Sequence, residues 1–179
     1  MKIDLHCHTK KTKSGDSKLR NVSPELFKEK IELAEIKIVA ITNHNAFDYN
    51  QYILLKEIVN ESCQVWPGIE IDVIGESKFH LIVVTKSETS ELFSLCVDKL
   101  FNGDDMDTCQ HTMDEVYEAF KDLDTIYIPH FHDKRPAISD DDRNRLIELV
   151  GDSSRVFIEP RNHRTLGVLA NKDLGVLIG

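Results

Sequence analysis

Short apolar segments rich in β-branched residues alternate with amphipathic helical segments along almost the whole 179-residue chain. Residues 36–42 (IKIVAIT) show the pattern of a buried strand, and residues 24–34 that of a helix with Ser23 as N-cap and Pro24 in its first turn. Further strands are predicted at 2–6, 65–73, 79–84, 126–128, 156–158 and 176–178. Further helices are predicted at 48–62, 88–100, 113–123 and 140–150, and a turn with a short helix is predicted at 161–173. This alternation is typical of a single α/β domain, here residues 1–179, with a parallel, barrel-like or open sheet.

Charge and cysteine usage exclude several classes of protein. The net charge of −9 disfavours a broad non-specific nucleic-acid surface, although a local one stays possible. No apolar run approaches the roughly 20 residues of a membrane helix, and no secretory leader opens the chain, so no membrane partner is expected. The four cysteines show no CxxC spacing or regular framework, which predicts reduced thiols and a cytoplasmic protein.

Histidines are concentrated where the predicted strands end. His6 and His8 close the first strand and share one face, His44 follows the strand at 36–42, and His130 follows the strand at 126–128. The carboxyl edge of a βα sheet is where functional groups collect. Because imidazole is the commonest transition-metal ligand near neutral pH, the pattern favours a metal site.

Three other positions complete the set of candidate ligands from the residues alone. Glu70 lies between isoleucines in a strand, where a buried acid must be paired or bind metal. His80 lies inside the next strand, and His132 shares the face of His130 if the chain stays extended. We expect His111 to be a surface residue, whereas His163 fits either substrate binding or a loop surface equally well.

These features together resemble the polymerase-and-histidinol-phosphatase family of metal-dependent phosphoesterases. The motifs occur in the family's order over nearly the whole chain: Asp4-Leu5-His6-Cys7-His8-Thr9, Ile41-Thr42-Asn43-His44-Asn45, Pro67-Gly68-Ile69-Glu70, His80 in its strand, and Pro129-His130. The resemblance implies a distorted seven-stranded β/α barrel, truncated at its C-terminal end in this chain. It also implies up to three divalent ions of zinc, manganese or iron.

The resemblance also implies which residues hold these ions. His6, His8 and Glu70 would hold the first, and Glu70 would bridge to a second ion. The remaining ligands by position are His80 and His130 for the second ion, and His44 with Asp16 for the third.

Two departures from the family's pattern affect this set. The family usually has Thr-Asp-His where this chain has Thr42-Asn43-His44, which removes a carboxylate near the third ion. A closing Gly-Ser-Asp-x-His-like segment would follow Gly179, so the first ion would lack an Asp and the third a His. We therefore expect partial occupancy or water at those positions, and a chain that continues into a further C-terminal domain.

Metal ions of this kind suit phosphoester hydrolysis, because they activate water and offset charge on phosphoryl oxygens. Arg20, Lys134 and Arg161 are predicted to bind the phosphate, and His132 to protonate the leaving oxygen or act as an extra ligand. The lysines at 10, 11, 13 and 18 fit either a phosphate clamp or a solvated loop.

Two functions therefore remain open. The first is a hydrolase acting on a phosphorylated small molecule or a nucleic-acid end. The second is a non-catalytic or regulatory metal-binding module of a larger ATPase- or polymerase-type protein.

Overall fold

The computed structural model describes residues 1–132, 134–160 and the backbone of 175–176. The predicted turn and helix at 161–173, Arg161, His163 and the end of the last predicted strand lie outside this part. The helices are α1 (Pro24–Ala34), α2 (Tyr49–Ile58), α3 (Ser90–Phe101), α4 (Met113–Phe120) and α5 (Asp140–Val150). The strands are β1 (Lys2–Cys7), β2 (Ile36–Ile41), β3 (Gln64–Ile74), β4 (Lys78–Thr85), β5 (His111–Thr112), β6 (Thr125–Phe131), β7 (Phe157–Pro160) and β8 (Gly175–Val176).

The strands form one mixed sheet in the order β1-β2-β3-β4-β6-β7-β8, with the short β5 beside β3. Every pairing is parallel except those of β4, which is antiparallel to both β3 and β6. The sheet is therefore mixed, and the pairing of 79–84 with 65–73 across Gly75, which the sequence predicts, is present as an antiparallel one. Only three residues, 75–77, separate β3 from β4, and a connection this short permits a hairpin but no helical crossover.

The sheet is strongly curled. Strand β7 lies five strands from β1 along the sheet, which corresponds to about 24 Å in a flat sheet. Nevertheless, Nδ1 of His6 in β1 lies 2.8 Å from Oε2 of Glu159 in β7. Leu5 from β1 also shares an inner apolar cluster with Ile128 from β6. In the described part, β1 and β8 do not pair, so this part forms an open, barrel-like sheet and not a closed barrel.

Strand β3 runs without a break through Pro67-Gly68, where the sequence pattern suggests an interruption. A Cβ atom at Gly68 would lie 2.8 Å from Cγ2 of Thr42 and 3.2 Å from the carbonyl oxygen of Ile41. The glycine therefore allows β2 and β3 to approach closely just before Glu70. This close approach helps to place the end of β2 beside the centre of β3.

The helices cover the outer face of the sheet. Ser23 caps α1, as the sequence predicts, and Ser139 caps α5. The largest apolar cluster lies between the sheet and helices α3, α4 and α5, with Phe93 and Phe120 fully buried at its centre. His111 is buried in β5, so its predicted surface position is wrong; a two-residue strand carries no readable periodicity. No helix in the described ranges has the length and apolar character required to cross a membrane.

Candidate metal centre

Five imidazole rings surround the buried carboxylate of Glu70 in the middle of β3. Oε2 lies 3.3 Å from Nε2 of His6, 3.1 Å from Nε2 of His8 and 2.6 Å from Nε2 of His44. Oε1 lies 2.6 Å from Nδ1 of His80 and 3.2 Å from Nε2 of His130. The rings come from β1, the segments after β1 and β2, and strands β4 and β6, so the curl of the sheet brings them together.

The donor atoms of this cluster fit divalent metal ions. Three groups have ligand atoms within 4.8 Å of one another: His6 with His8 and Glu70; His44 with Glu70 and His80; and His6 with His130 and Glu159. Nε2 of His6 lies 3.0 Å from Nε2 of His8. This is the separation of two nitrogens that bind one ion at right angles with bonds of about 2.1 Å.

Unpaired nitrogen atoms in the cluster point to the same conclusion. Nδ1 of His8 and both ring nitrogens of His130 are buried and make no hydrogen bond. Buried polar atoms in proteins are almost always satisfied, so exceptions call for a ligand. Of these atoms, Nε2 of His130 faces the carboxylates of Glu70 and Glu159, and a divalent transition-metal ion held with His6 and Glu159 would satisfy it.

Three more carboxylates lie around the Glu70 cluster, and each contacts at least one histidine and at least one basic side chain. Asp16 contacts His44 Nδ1 at 2.7 Å and Arg20 Nη1 at 2.8 Å. Asp72 contacts His80 Nε2 at 3.0 Å and pairs with Lys13. Glu159 contacts His6 and pairs with Lys134, whose ammonium lies 3.0 Å from His6 Nδ1. The resulting three acid–base pairs balance much of the charge of the site.

The close packing of acids and histidines shifts their pKa values: the pKa of His6 rises, whereas the pKa values of His130 and Glu70 fall. Burial lowers the pKa of His6, but hydrogen bonds to Glu159 and Glu70 outweigh it and raise the value to about 9. Burial, together with Lys134 and His6, lowers the pKa of His130 to about 3 against the attraction of Glu70. Burial raises the pKa of Glu70, but hydrogen bonds from four histidines outweigh it and hold the pKa well below its usual range.

These shifts predict that the metal-free chain is most stable near pH 6.5. The raised pKa of His6 stabilises the fold below pH 6.5, and this contribution is lost as the pH rises through about 9. The lowered pKa of His130 acts oppositely, because its contribution is present above pH 6.5 and is lost towards pH 3. The alkaline loss is at most about 3 kcal/mol. Thermal denaturation in the presence of a chelator, from pH 4 to pH 9, measures both limbs.

His6→Gln is expected to reduce the alkaline limb and to leave the part that the raised pKa of His80 contributes, whereas the exposed His132→Gln should leave both limbs unchanged. Saturating metal should also flatten the alkaline limb, because bound imidazole is already deprotonated. An alkaline limb of unchanged size in His6→Gln would contradict a contribution from His6.

The predicted phosphate-binding and proton-donating residues occupy different surroundings. Arg20 and Lys134 lie at the cluster, through their contacts with Asp16 and Glu159. His132 is exposed in a left-handed backbone conformation (φ 56°), with Phe131 as its ring neighbour, and its role stays a prediction. Arg161 lies outside the described residues.

Two further observations bear on the first loop and the departure at Asn43. Three cations of this loop form ion pairs with acids: Lys10 with Asp48, Lys13 with Asp72, and Arg20 with Asp16.

Oδ1 of Asn43 accepts hydrogen bonds from the backbone N–H groups of Thr9 (2.8 Å) and Lys10 (3.0 Å). Asn43 thus fixes the start of the loop that follows His8, a function that a neutral amide oxygen performs without a carboxylate.

The sequence analysis missed Asp72 and Glu159. Asp72 lies two residues after Glu70 in β3 and therefore shares its face of the strand. Glu159 directly follows the apolar residues of β7, at the same edge as the histidines. Both positions carried the signal used for the histidines, namely an ionisable residue in or just after an apolar strand.

Comparison with known proteins finds solved structures that share this fold. No family model and no curated protein matches the chain. A solved structure of a protein assigned as a metal-dependent phosphoesterase from Bifidobacterium adolescentis superimposes with a TM-score of 0.62 and 14% identity, covering 98% of this chain and 84% of that one. The shared feature is the fold. Endonuclease Q in complex with duplex DNA containing an abasic lesion superimposes with a TM-score of 0.54 and 16% identity, covering 88% of this chain and 41% of that one. An amidohydrolase from Chromobacterium violaceum with bound sulfate superimposes with a TM-score of 0.55 and 12% identity, covering 89% of this chain and 76% of that one.

Proposed function

We propose that the chain is a metal-dependent hydrolase of phosphoesters. The observation that carries the proposal is the single buried carboxylate of Glu70 shared by five imidazoles. His6, His8, His44, Glu70, His80 and His130 would hold the ions, with Asp16 and Glu159 as additional oxygen donors. Divalent ions bound there would supply hydroxide near neutral pH and offset negative charge on the substrate.

The basic side chains favour a phosphoester over an amide substrate. Arg20 and Lys134 lie within hydrogen-bond distance of ligand histidines His44 and His6, and both are partly exposed. Arg20 uses only Nη1 for its contacts with Asp16 and His44, while its guanidinium has five N–H donors suited to phosphate. A neutral amide has no need of such cations. We assign Arg161 as a further phosphate ligand and His132 as the proton donor to the leaving oxygen, in line with their positions after strands.

The substrate is proposed to be a phosphorylated small molecule or a nucleic-acid end. The net charge of −9 confines attraction for polyanions to a local surface, and the two partly exposed basic side chains at the cluster, Arg20 and Lys134, provide one. A terminal phosphate needs only this local grip, whereas a long duplex needs a broad basic face.

Hydrolysis assays with defined metals test the proposal. The purified chain is loaded with Mn²⁺, Zn²⁺ or Fe²⁺ and assayed on p-nitrophenyl phosphate, bis(p-nitrophenyl) phosphate and a p-nitroanilide. We expect turnover of at least one phosphoester, loss of activity with a chelator and recovery on metal addition. Arg20→Met should raise KM about tenfold or more, because it removes a charge-assisted contact, while Lys18→Met in the same loop should not.

Two outcomes would overturn the proposal. One is a chain that binds metal but hydrolyses only the anilide. The other is a chain that binds metal stoichiometrically and hydrolyses none of the three substrates, which would favour a non-catalytic metal-binding module.

A further inference from the structure

Asp72 is a buried carboxylate that is not part of any of the three ligand groups found among the described residues. It lies directly opposite His80 in the antiparallel pairing of β3 with β4. Its side chain is 2% exposed, and its Oδ1 lies 3.0 Å from Nε2 of His80. A buried carboxylate in such a position needs a structural or functional reason, because its desolvation is costly.

The ring of His80 is held at both nitrogens. Nδ1 lies 2.6 Å from Oε1 of Glu70, inside the ligand group formed with His44, while Nε2 lies at Asp72. With the Nε2 proton donated to Asp72, loss of the Nδ1 proton would direct the Nδ1 lone pair at the ligand group. Asp72 therefore favours the tautomer and the ring orientation that metal binding through Nδ1 requires.

Lys13 completes the arrangement from the first loop. Its ammonium pairs with Asp72, and its side chain is mostly buried. The backbone N–H of Lys13 also donates to Oδ2 of Asp16 at 3.1 Å, and Asp16 contacts His44. Lys13 thus connects the carboxylates behind two histidines of the same ligand group, and it balances the charge of Asp72 without occupying the oxygen that faces His80.

We propose that Asp72 is a positioning residue that orients His80 for metal binding, with Lys13 as its charge partner. The inference rests on the proposed metal-dependent function and adds a specific requirement to it. The requirement is an acceptor oxygen opposite Nε2 of His80. The negative charge of Asp72 balances the buried ammonium of Lys13 and the more exposed one of Lys78, which lies 3.5 Å from Oδ2.

Two double variants test whether His80 needs an acceptor oxygen at position 72 or the negative charge of Asp72. Lys13→Met/Asp72→Asn removes both charges but keeps an oxygen that accepts from His80. Lys13→Met/Asp72→Leu removes the same charges and fills a similar volume without an acceptor. The measurements are the dissociation constant for Zn²⁺ by chelator competition, the visible absorption of bound Co²⁺, and the melting temperature of the metal-free protein.

We expect the leucine double variant to bind Zn²⁺ about 10- to 100-fold more weakly than the asparagine double variant and to show an altered Co²⁺ spectrum. Its metal-free melting temperature should be similar to that of the asparagine variant, because leucine gains apolar contacts but leaves Nε2 of His80 without an acceptor. If the leucine variant fails to fold, valine, which suits a strand, takes its place.

The outcomes distinguish this inference from the proposed function. Equal Zn²⁺ affinities and equal Co²⁺ spectra for the two double variants, in a chain whose unmodified form binds metal, would overturn only the role of Asp72. Failure of the unmodified chain to bind any of the metals would overturn both proposals.

Discussion

Replacing Glu70 by glutamine is expected to lower phosphoesterase activity by about 10³-fold or more and to remove most bound metal. Glu70 belongs to two of the three ligand groups, so one substitution weakens both. An amide has one oxygen and no charge, whereas the carboxylate uses Oε2 towards three imidazoles and Oε1 towards two. Metal analysis after dialysis and initial rates on the best phosphoester measure the two effects.

Glu61→Gln is the matched control, because Glu61 is an exposed acid outside the cluster. Its metal content and rate should stay within a factor of two of the unmodified chain. His8→Ala should reproduce the loss of metal seen with Glu70→Gln. Full activity in either of these two cluster variants would exclude the cluster as the site of hydrolysis.

Replacing Phe93 by alanine is expected to give the largest loss of stability, about 3–5 kcal/mol. The ring is fully buried in α3 and packs against two others, with centroid distances of 5.1 Å to both Phe47 and Phe120. Truncation removes these contacts and leaves a cavity in the largest apolar cluster. A loss of this size is a large part of the stability of an ordinary domain. Urea denaturation of metal-free protein measures it.

Leu95→Ala on the same helix provides the comparison. Leu95 is 63% exposed, so its truncation should change the free energy of unfolding by no more than about 0.5 kcal/mol. A loss of less than 1 kcal/mol for Phe93→Ala would show that α3 does not pack on the sheet as described.

Much of the fold is readable from the sequence because the relevant signals are local. Ser23-Pro24 and Ser139 mark the starts of α1 and α5, and the β-branched run at 36–42 marks β2. The pairing of β4 with β3 also rests on a local signal. It depends on the three-residue connection to β3, which favours a hairpin over the βα alternation of the rest of the chain. The position of β5 depends on its neighbours alone, which is why the burial of His111 was not predicted.

Some residues of the candidate site could be predicted from the sequence, and others could not. The histidines and Glu70 follow from their places at the strands, and the structure brings His6, His8, His44, Glu70, His80 and His130 together with Asp16. Asp72 and Glu159 had the same signal but no family motif to draw attention to them. The pairing of Lys13 with Asp72 and of Lys134 with Glu159 joins residues far apart in the chain, and periodicity contains no information on such contacts.

The curl of the sheet has a consequence for how the centre comes into being during folding. His6 and Glu159 are separated by 153 positions in the chain yet share a contact. The centre therefore depends on a contact between very distant parts of the chain. Closing such a long loop costs more conformational entropy than forming shorter-range contacts does. Metal that binds only the assembled centre adds its binding free energy to this long-range closure. An ion bound there would therefore hold β1 and β7 together, and its removal should loosen these two strands before it affects the packing of α3 and α4.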